Sequence, residues 1–214
     1  MPPVLHISSV RESLRKLRNI LLGVLGLLCA GASYADQVLP LDPADSSFHF
    51  IGDSFLHSFH GEAKEITGSA ILNSSATPPI QTAMLAFRSA RLTTFNDERD
   101  AKMKDWMAIG IHPEVDFDLE KVTPISGDYS TATATHPTRF GVAGTLTLNG
   151  VKQRITGEAL GWREKDRLVV TGDIVVNTLN FGLPQIRMAI ITVAPEVKTS
   201  YRFSFKLPPE LALK

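Results

Sequence analysis

Apolar and polar residues alternate along most of the sequence after residue 36, and this alternation restricts the fold more than any other feature. The runs that show it best are Phe48–Phe50, Val115–Leu119, Phe140–Leu148 and Tyr201–Leu207. Successive side chains of a strand point to opposite faces of a sheet. The pattern therefore predicts antiparallel strands, each with one face toward a core or a cavity.

A turn signal joins two of these runs. Asn149 and Gly150 both tolerate the positive φ of a type I′ turn, and together they are a strong signal for a two-residue hairpin. The sequence therefore predicts that Arg139–Leu148 pairs with Val151–Gly161. The remaining elements predicted from the pattern are a polar turn at Trp162–Arg167 and strands at Leu168–Val176, Gly61–Leu72 and Ile80–Leu92.

One segment, Asn96–Ile109, has helical rather than alternating spacing. Thr94 or Asn96 is a candidate N-cap, and Pro113 prevents the helix from continuing. The apolar stripe of this helix consists of Met103, Trp106 and Met107. Two interpretations of the stripe stay open: it packs onto the sheet, which we favour, or it forms a plug or gate at the mouth of a barrel.

Together these patterns predict an all-β fold. We expect one extended antiparallel β-barrel of about eight strands, closed or nearly closed, with one helical insert. Two polar stretches, Ser74–Pro79 and Ser126–Pro137, are predicted to be surface loops rather than domain linkers. Residues 36–214 are therefore expected to form a single domain.

The first 35 residues read as a secretory signal peptide. Four basic residues precede the uncharged, leucine-rich run Ile20–Ala32, and Ser33-Tyr34-Ala35 has the small residues of a cleavage site. The apolar run is shorter than the roughly 20 residues that cross a bilayer, although an uncleaved anchor stays open as the alternative. Cleavage after Ala35 predicts an exported mature chain, residues 36–214, without an integral membrane span.

Composition excludes several function classes. The complete chain has 22 Lys and Arg against 22 Asp and Glu. This balance argues against a nucleic-acid partner, because proteins that bind nucleic acid usually carry a basic excess. The single cysteine, Cys29, lies in the leader, so the mature chain has no thiol for catalysis or for a disulfide. No phosphate-binding loop, nucleophile elbow or zinc-protease motif is present in the sequence.

The histidines and the acidic residues of the helix do not predict a reactive cluster. His57 and His60 are three residues apart, so they point to opposite faces of a strand, and only a turn at Ser58–Phe59 would bring them to one metal ion. Polar surface histidines are the simpler interpretation. The acids within Asp97–Asp100 are expected to be structural, because they favour the dipole at a helix start. We therefore predict no catalytic residue, no metal ion and no required cofactor.

All 11 phenylalanines lie beyond the leader. A barrel of about eight strands either fills its interior with side chains or encloses one small ligand. The residue pattern alone does not separate a packed core from a lined cavity, so both interpretations stay open at this point.

Five segments resemble motifs of the YceI-like family, and they occur in the same order. The segments are Leu41–Phe50, Asn96–Met103, Pro113–Phe117, Gly144–Val151 and Asn180–Leu183. In turn they resemble the family's Asp-Pro opening, its Asn-x-x-Arg-Asp helix, its Pro-x-h-x-Phe strand (h, apolar), its Gly-x-Leu-x-h-x-Gly-Val hairpin and its Asp-Phe-Gly-Leu segment. Two positions depart from the pattern: Trp106-Met107 stands where a Phe-Phe pair is common, and Asn180 replaces the usual acid.

The resemblance implies a lipocalin-like barrel with a helix at one end, export to the bacterial periplasm, and a long isoprenoid bound inside the barrel. Such a ligand would be a polyprenyl lipid or an isoprenoid quinone. We therefore interpret the chain as a non-enzymatic binding or carrier protein. The candidate ligand-binding residues are inward aromatics, with Arg99 predicted to hold a polar head group near the mouth: Phe48, Phe50, Phe87, Arg99, Trp106, Phe117, Phe140, Phe181 and Phe203.

Two other function classes stay open. One is an enzyme that acts on an apolar substrate, with His57 or His60 as its acid or base. The other is a ligand-free protein that interacts with a membrane redox protein. Transient contact with a membrane and a homodimer are further alternatives that the sequence leaves open.

Overall fold

The computed structural model describes residues 36–54, 56–73, 79–188 and 191–209, apart from the side chains of residues 188 and 191. The predicted signal peptide at residues 1–35 lies outside the described residues, as does most of the predicted loop Ser74–Pro79. Within the described ranges, no helix is long and apolar enough to cross a membrane.

The described part of the chain is dominated by antiparallel strands. Its elements are β1 (Gln37–Pro40), a 3₁₀ turn (Pro43–Asp45), β2 (Ser47–Asp53), β3 (Ser58–Ala63), β4 (Thr67–Leu72), β5 (Ile80–Arg88), a 3₁₀ turn (Ser89–Arg91), β6 (Leu92–Thr93), helix α1 (Asp97–Trp106), β7 (Glu114–Ser126), β8 (Thr138–Leu148), β9 (Val151–Glu164), β10 (Arg167–Asn177), a 3₁₀ turn (Thr178–Phe181), β11 (Arg187–Met188), β12 (Ile191–Thr192) and β13 (Glu196–Lys206). Eleven strands form one sheet in the order β1-β4-β5-β7-β8-β9-β10-β13-β2-β3-β6, and β11 pairs with β12.

The large sheet curls, and its first strand returns to a strand far along the sheet order. An isolated bridge joins Leu41, just after β1, to Phe205 of β13. The backbone N–H of Asp42 also donates to the carbonyl of Ser204 over 2.7 Å. Eight strands, from β1 to β13 in the sheet order, therefore follow one another around the curl, and β2, β3 and β6 extend the sheet beyond β13.

The predicted all-β, lipocalin-like class is confirmed. The sheet has eleven strands rather than about eight, because β1 and β6 are too short to show alternation in the sequence. The region predicted as one strand near Gly61–Leu72 is two strands, and the break between them lies at Glu65, whose φ of 61° is left-handed. The predicted strand Ile80–Leu92 is likewise interrupted by a 3₁₀ turn.

The predicted hairpin at Asn149-Gly150 is confirmed. These two residues have φ values of 52° and 71°, as a type I′ turn requires. Strands β8 and β9 pair continuously from Leu148 opposite Val151 to Thr138 opposite Gly161. Strand β9 continues to Glu164, where a polar turn was predicted, because Trp162–Glu164 pairs with β10.

The predicted helix is present, and its start is capped by Asn96. The side-chain oxygen of Asn96 accepts a hydrogen bond from the backbone N–H of Arg99 over 2.9 Å. The helix ends at Trp106, three residues before its predicted end. Ala108 explains the difference, because its φ of 49° is left-handed and ends the helical hydrogen bonding.

An ion-pair cluster fixes the segment that follows β1. The carboxylate of Asp42, a residue only 5% exposed, lies 3.1 Å from Arg167. Asp45 lies 3.2 Å from Arg167 and 3.3 Å from Arg202. Burial would raise the pKa of Asp45, but the side chain of Ser204 and the two arginines hold it below its usual range. The Asp-Pro segment therefore attaches the chain after β1 to β10 and β13.

Candidate ligand-binding cavity

The inner faces of the curled sheet and one face of α1 surround a cavity of about 480 Å³. Pockets that bind small molecules typically measure roughly 300–1,000 Å³. The wall includes Val115, Phe117 and Leu119 of β7, Phe140, Val142, Leu146 and Leu148 of β8, and Tyr201, Phe203 and Phe205 of β13. These are the residues that the alternation placed on one face, so the pattern that predicts the strands also builds the cavity.

Seven of the nine candidate residues line this cavity. They are Phe48, Phe50, Phe87, Trp106, Phe117, Phe140 and Phe203. Two of them touch across the interior, since the rings of Phe48 and Phe87 lie 5.4 Å apart at a tilt of 37°. The ring of Phe50 covers Gly61 on the neighbouring strand, where any larger residue would collide with it. That these aromatics contact a ligand stays a prediction.

Phe181 does not belong to the cavity wall. It is 2% exposed and ends the 3₁₀ turn that follows β10. Its carbonyl accepts a hydrogen bond from the side chain of Asn149 over 3.0 Å, and Gly182 closes the turn with a left-handed φ of 71°. The backbone of Phe181 therefore attaches this turn to the β8–β9 hairpin, and its side chain is buried.

Arg99 does not line the cavity either. Its guanidinium lies 5.0 Å above the ring of Phe59 and donates to the carbonyl of Thr94 over 2.7 Å and to its hydroxyl over 2.8 Å. These contacts attach the start of α1 to the end of β6. The structure therefore gives Arg99 a packing role, and that it holds a polar head group stays a prediction.

The apolar stripe of α1 faces the cavity. Met103, Trp106 and Met107 all contribute to its wall. The indole N–H of Trp106 donates to the carbonyl of Pro184 over 2.7 Å, which joins the helix to the segment after the 3₁₀ turn. The helix thus packs against the barrel and covers part of the cavity with the same stripe, at the end where β7 begins.

The candidate set missed the aliphatic part of the wall. Strand β10 contributes a large share of it, through Leu168, Val170, Ile174 and Val176. Apart from Arg99, the prediction names only aromatic residues, yet the alternation that identified β10 also identified these inward positions. Because aliphatic and aromatic side chains share the wall, carbon atoms form almost all of the cavity surface.

Two tyrosines bring hydroxyl groups to this wall. Tyr201 stacks on Phe203 at 4.9 Å, and Tyr129 stacks on Phe140 at 6.2 Å. Burial raises the pKa of each phenol to about 12, so both stay neutral and protonated at physiological pH. Tyr129 lies in the stretch that was predicted to be a polar surface loop, and no sequence signal pointed to it.

The histidines and acids of the described part of the chain show no metal-binding arrangement. Within the described ranges, no group of three or more His, Asp or Glu residues is arranged to hold a metal ion. Ser58 and Phe59 lie in β3, so the turn that would bring His57 and His60 to one ion is not formed there.

A row of like charges runs along β7 beside the cavity. Glu114, Asp116 and Asp118 occupy alternate positions on this strand. Burial, and then the charges of Glu114 and Asp118, raise the pKa of Asp116. The ionised Asp116 is therefore a source of instability in the folded chain at neutral pH.

We expect Asp116→Asn to stabilise the protein by about 0.5 kcal/mol at pH 7, because the variant removes a partly buried charge and its repulsion by Glu114 and Asp118. Because the carboxylic acid is already neutral at low pH, the gain should disappear as the pH falls to about 3. Urea unfolding at both pH values measures the difference. Glu158→Gln is the control: Glu158 pairs with Arg139 at 2.5 Å, so this variant should gain nothing. A gain for Asp116→Asn that persists at pH 3 would contradict the electrostatic explanation.

The fold and the cavity together define a class: a lipocalin-like antiparallel barrel with an apolar interior. Comparisons with known proteins agree with this class. A model of the YceI-like domain matches residues 40–205, so the chain belongs to the YceI-like family. No curated relative matches the chain in sequence.

Two solved structures share the fold. The chain is similar to BcnA from Burkholderia cenocepacia, with 15% identity and a TM-score of 0.64 over 77% of this chain and 98% of that one. It is also similar to a polyisoprenoid binding domain from Saccharophagus degradans implicated in plant cell wall breakdown. That match has 14% identity and a TM-score of 0.62 over 79% of this chain and 98% of the other. At these identities the likeness establishes the fold.

Proposed function

We propose that this chain is an exported, non-enzymatic protein that binds or carries a long isoprenoid inside its barrel, either a polyprenyl lipid or an isoprenoid quinone. The observation that carries the proposal is the cavity of about 480 Å³ whose wall consists almost entirely of carbon. A polar substrate would lose its hydrogen bonds to water on entering such a space. A prenyl chain makes no hydrogen bonds to water and therefore loses none on entering.

Energetics supports an apolar chain as the ligand. Each methylene that leaves water contributes about 0.8 kcal/mol, so a long tail can bind tightly with few polar contacts. The aromatic and aliphatic side chains of the wall supply the matching surface. A structural neighbour that is a polyisoprenoid binding domain gives this ligand class priority over other lipids.

Export is supported by the leader-like first 35 residues, with a basic stretch, an uncharged run and a small-residue cleavage site. In the periplasm, the mature chain would contain no cysteine that could be oxidised. A compartment bounded by two membranes is also one in which a lipid needs a protein to cross water.

The proposal is tested by expressing the complete 214-residue chain in a Gram-negative host and isolating the protein from the periplasmic fraction. Its intact mass should correspond to residues 36–214. Organic extraction followed by mass spectrometry should release one isoprenoid per protein molecule. After delipidation, adding prenyl lipid should raise the melting temperature, because a ligand that binds only the folded state stabilises it.

Two results would overturn the proposed function. A clean extract combined with no thermal shift on adding prenyl lipids would exclude an isoprenoid ligand. A precursor that stays in the cytoplasm at its full mass would exclude export, and the ligand question would then be decided by the extract alone.

A further inference from the structure

The side chain of Tyr129 carries a buried hydroxyl that the fold leaves unused. Of the buried side-chain oxygens that lack a hydrogen-bond partner among the described residues, only that of Tyr129 belongs to a residue lining the cavity. Buried polar groups in native proteins are nearly always paired, and leaving one unpaired is unfavourable. An unpaired donor at a cavity wall is therefore a place where a ligand atom is expected.

The backbone around Tyr129 holds its ring in place. The carboxylate of Asp128 accepts hydrogen bonds from the backbone N–H and the hydroxyl of Ser130, both over 2.8 Å. These bonds close one turn that spans Tyr129, and its ring stacks on Phe140 at 6.2 Å. Tyr129 thus belongs to an ordered loop, and its buried hydroxyl has to turn toward the cavity to meet a ligand.

Tyr129 lies at the end of the barrel far from the helix. Strand β7 begins at Glu114, shortly after α1, and ends at Ser126, three residues before Tyr129. At roughly 3.3 Å per residue, a 13-residue strand runs on the order of 40 Å between these ends. The stripe of Met103, Trp106 and Met107 and the Tyr129 hydroxyl therefore lie toward opposite ends of the cavity.

The geometry points to the Tyr129 hydroxyl as the group that hydrogen-bonds an oxygen at the head of the bound prenyl chain. The head lies at the β7–β8 loop, and the tail runs toward α1. This assignment rests on the proposed function and adds an orientation and a polar contact to it. A protonated phenol donates one hydrogen bond, which suits the oxygen of a quinone carbonyl, a prenol or a prenyl phosphate.

The decisive variant is Tyr129→Phe, which removes the hydroxyl and keeps the ring on Phe140. Geranylgeraniol and the hydrocarbon in which hydrogen replaces its hydroxyl are the probes, with binding followed by quenching of tryptophan fluorescence in the delipidated chain. The variant should bind geranylgeraniol about three- to tenfold more weakly and bind the hydrocarbon as the wild type does. Geranylgeranyl phosphate and a four-isoprene menaquinone, run in parallel, identify which head group the hydroxyl contacts.

Tyr201→Phe is the matched control. Tyr201 also lines the cavity, with its hydroxyl over Gly172 of β10, so the assignment requires that Tyr129→Phe weaken the binding of oxygen-bearing probes more than Tyr201→Phe does. The delipidated Tyr129→Phe protein should also melt at a higher temperature than the wild type, because it has lost a buried, unpaired hydroxyl.

The outcomes separate this assignment from the proposed function. If Tyr129→Phe lowers the affinity for every oxygen-bearing probe no more than it lowers the affinity for the hydrocarbon, the assignment is wrong. Binding of any probe to the wild type still supports an isoprenoid carrier in that case. If Tyr129→Phe lowers the melting temperature of the delipidated chain, the hydroxyl has an internal partner and the assignment is also wrong. If no prenyl probe binds the wild type, both are overturned.

Discussion

A Val170→Trp variant should be purified with at least tenfold less isoprenoid than the wild-type chain. Val170 lines the cavity and lies on β10 between Gly161 of β9 and Phe203 of β13. The ring of Phe140 already covers Gly161, so an indole at position 170 has to extend into the cavity, where it occupies the volume that a prenyl tail needs. The extract of the purified variant, quantified by mass spectrometry against protein concentration, measures this loss.

The matched control for this variant is Val175→Trp. Val175 lies on the same strand but is 60% exposed, between the cavity-lining residues Ile174 and Val176. The same substitution therefore adds the same bulk to the outside of the barrel, and the isoprenoid content should not change. Both variants should unfold cooperatively in urea, which separates loss of ligand from loss of fold. A Val170→Trp protein that keeps a full complement of isoprenoid would place the ligand outside the cavity.

The cavity wall was predictable because it follows from a local rule. Residues such as Phe117, Phe140 and Phe203 lie in strands long enough for alternation to show, and alternation alone decides which side chains point inward. The same rule covers Val170 and Ile174, so restricting the cavity-lining candidates to aromatic residues omitted the aliphatic part of a wall that the pattern had already defined. What the pattern could not give was the space between the walls, since the gap depends on the curvature of the whole sheet.

The positions that sequence reasoning placed differently share a cause. Phe181 lies in a 3₁₀ turn, and alternation assigns no side to a residue outside a strand. Arg99 is held by Thr94 and Phe59, contacts that depend on how α1 meets the end of β6. Tyr129 belongs to a polar loop whose one aromatic ring returns to the barrel through Phe140. In each case a tertiary contact decides the position, and no local periodicity records it.

The contacts of Asn96, Arg99 and Asp100 explain what the family's Asn-x-x-Arg-Asp motif does in the structure. Asn96 caps the helix, Arg99 binds the carbonyl of Thr94, and the carboxylate of Asp100 accepts hydrogen bonds from the residues before the cap. The motif therefore attaches the helix to the sheet edge. Its attachment holds Trp106 and Met107 over the cavity, so a motif that touches no ligand still determines the shape of the site.

Asp100→Ala should cost roughly 3 kcal/mol of folding free energy at pH 7, the largest stability effect that we expect from a single charged residue of α1. Asp100 is 7% exposed. Its carboxylate accepts a hydrogen bond from the hydroxyl of Thr93 over 2.8 Å. It also accepts hydrogen bonds from the backbone N–H of Thr94, over 2.7 Å, and from the hydroxyl of Thr94. Hydrogen bonds to a charged group contribute about 1.5–3 kcal/mol each, and truncation leaves buried donors unpaired. Asp97→Ala, at an exposed position of the same helical turn, should cost less than about 1 kcal/mol.

The loss in Asp100→Ala should depend on pH with a defined sign. Burial would raise the pKa of Asp100, but the hydrogen bonds from Thr94 and Thr93 hold it below its usual range. An acid with a lowered folded-state pKa stabilises the protein above the unfolded pKa of about 3.9, and that stabilisation is lost as the pH falls through the folded value. Urea unfolding of wild type and variant should therefore show a smaller difference at pH 3 than at pH 7. An equal difference at both pH values would mean that the side chain acts through its volume and that its negative charge does not hold the helix on the sheet.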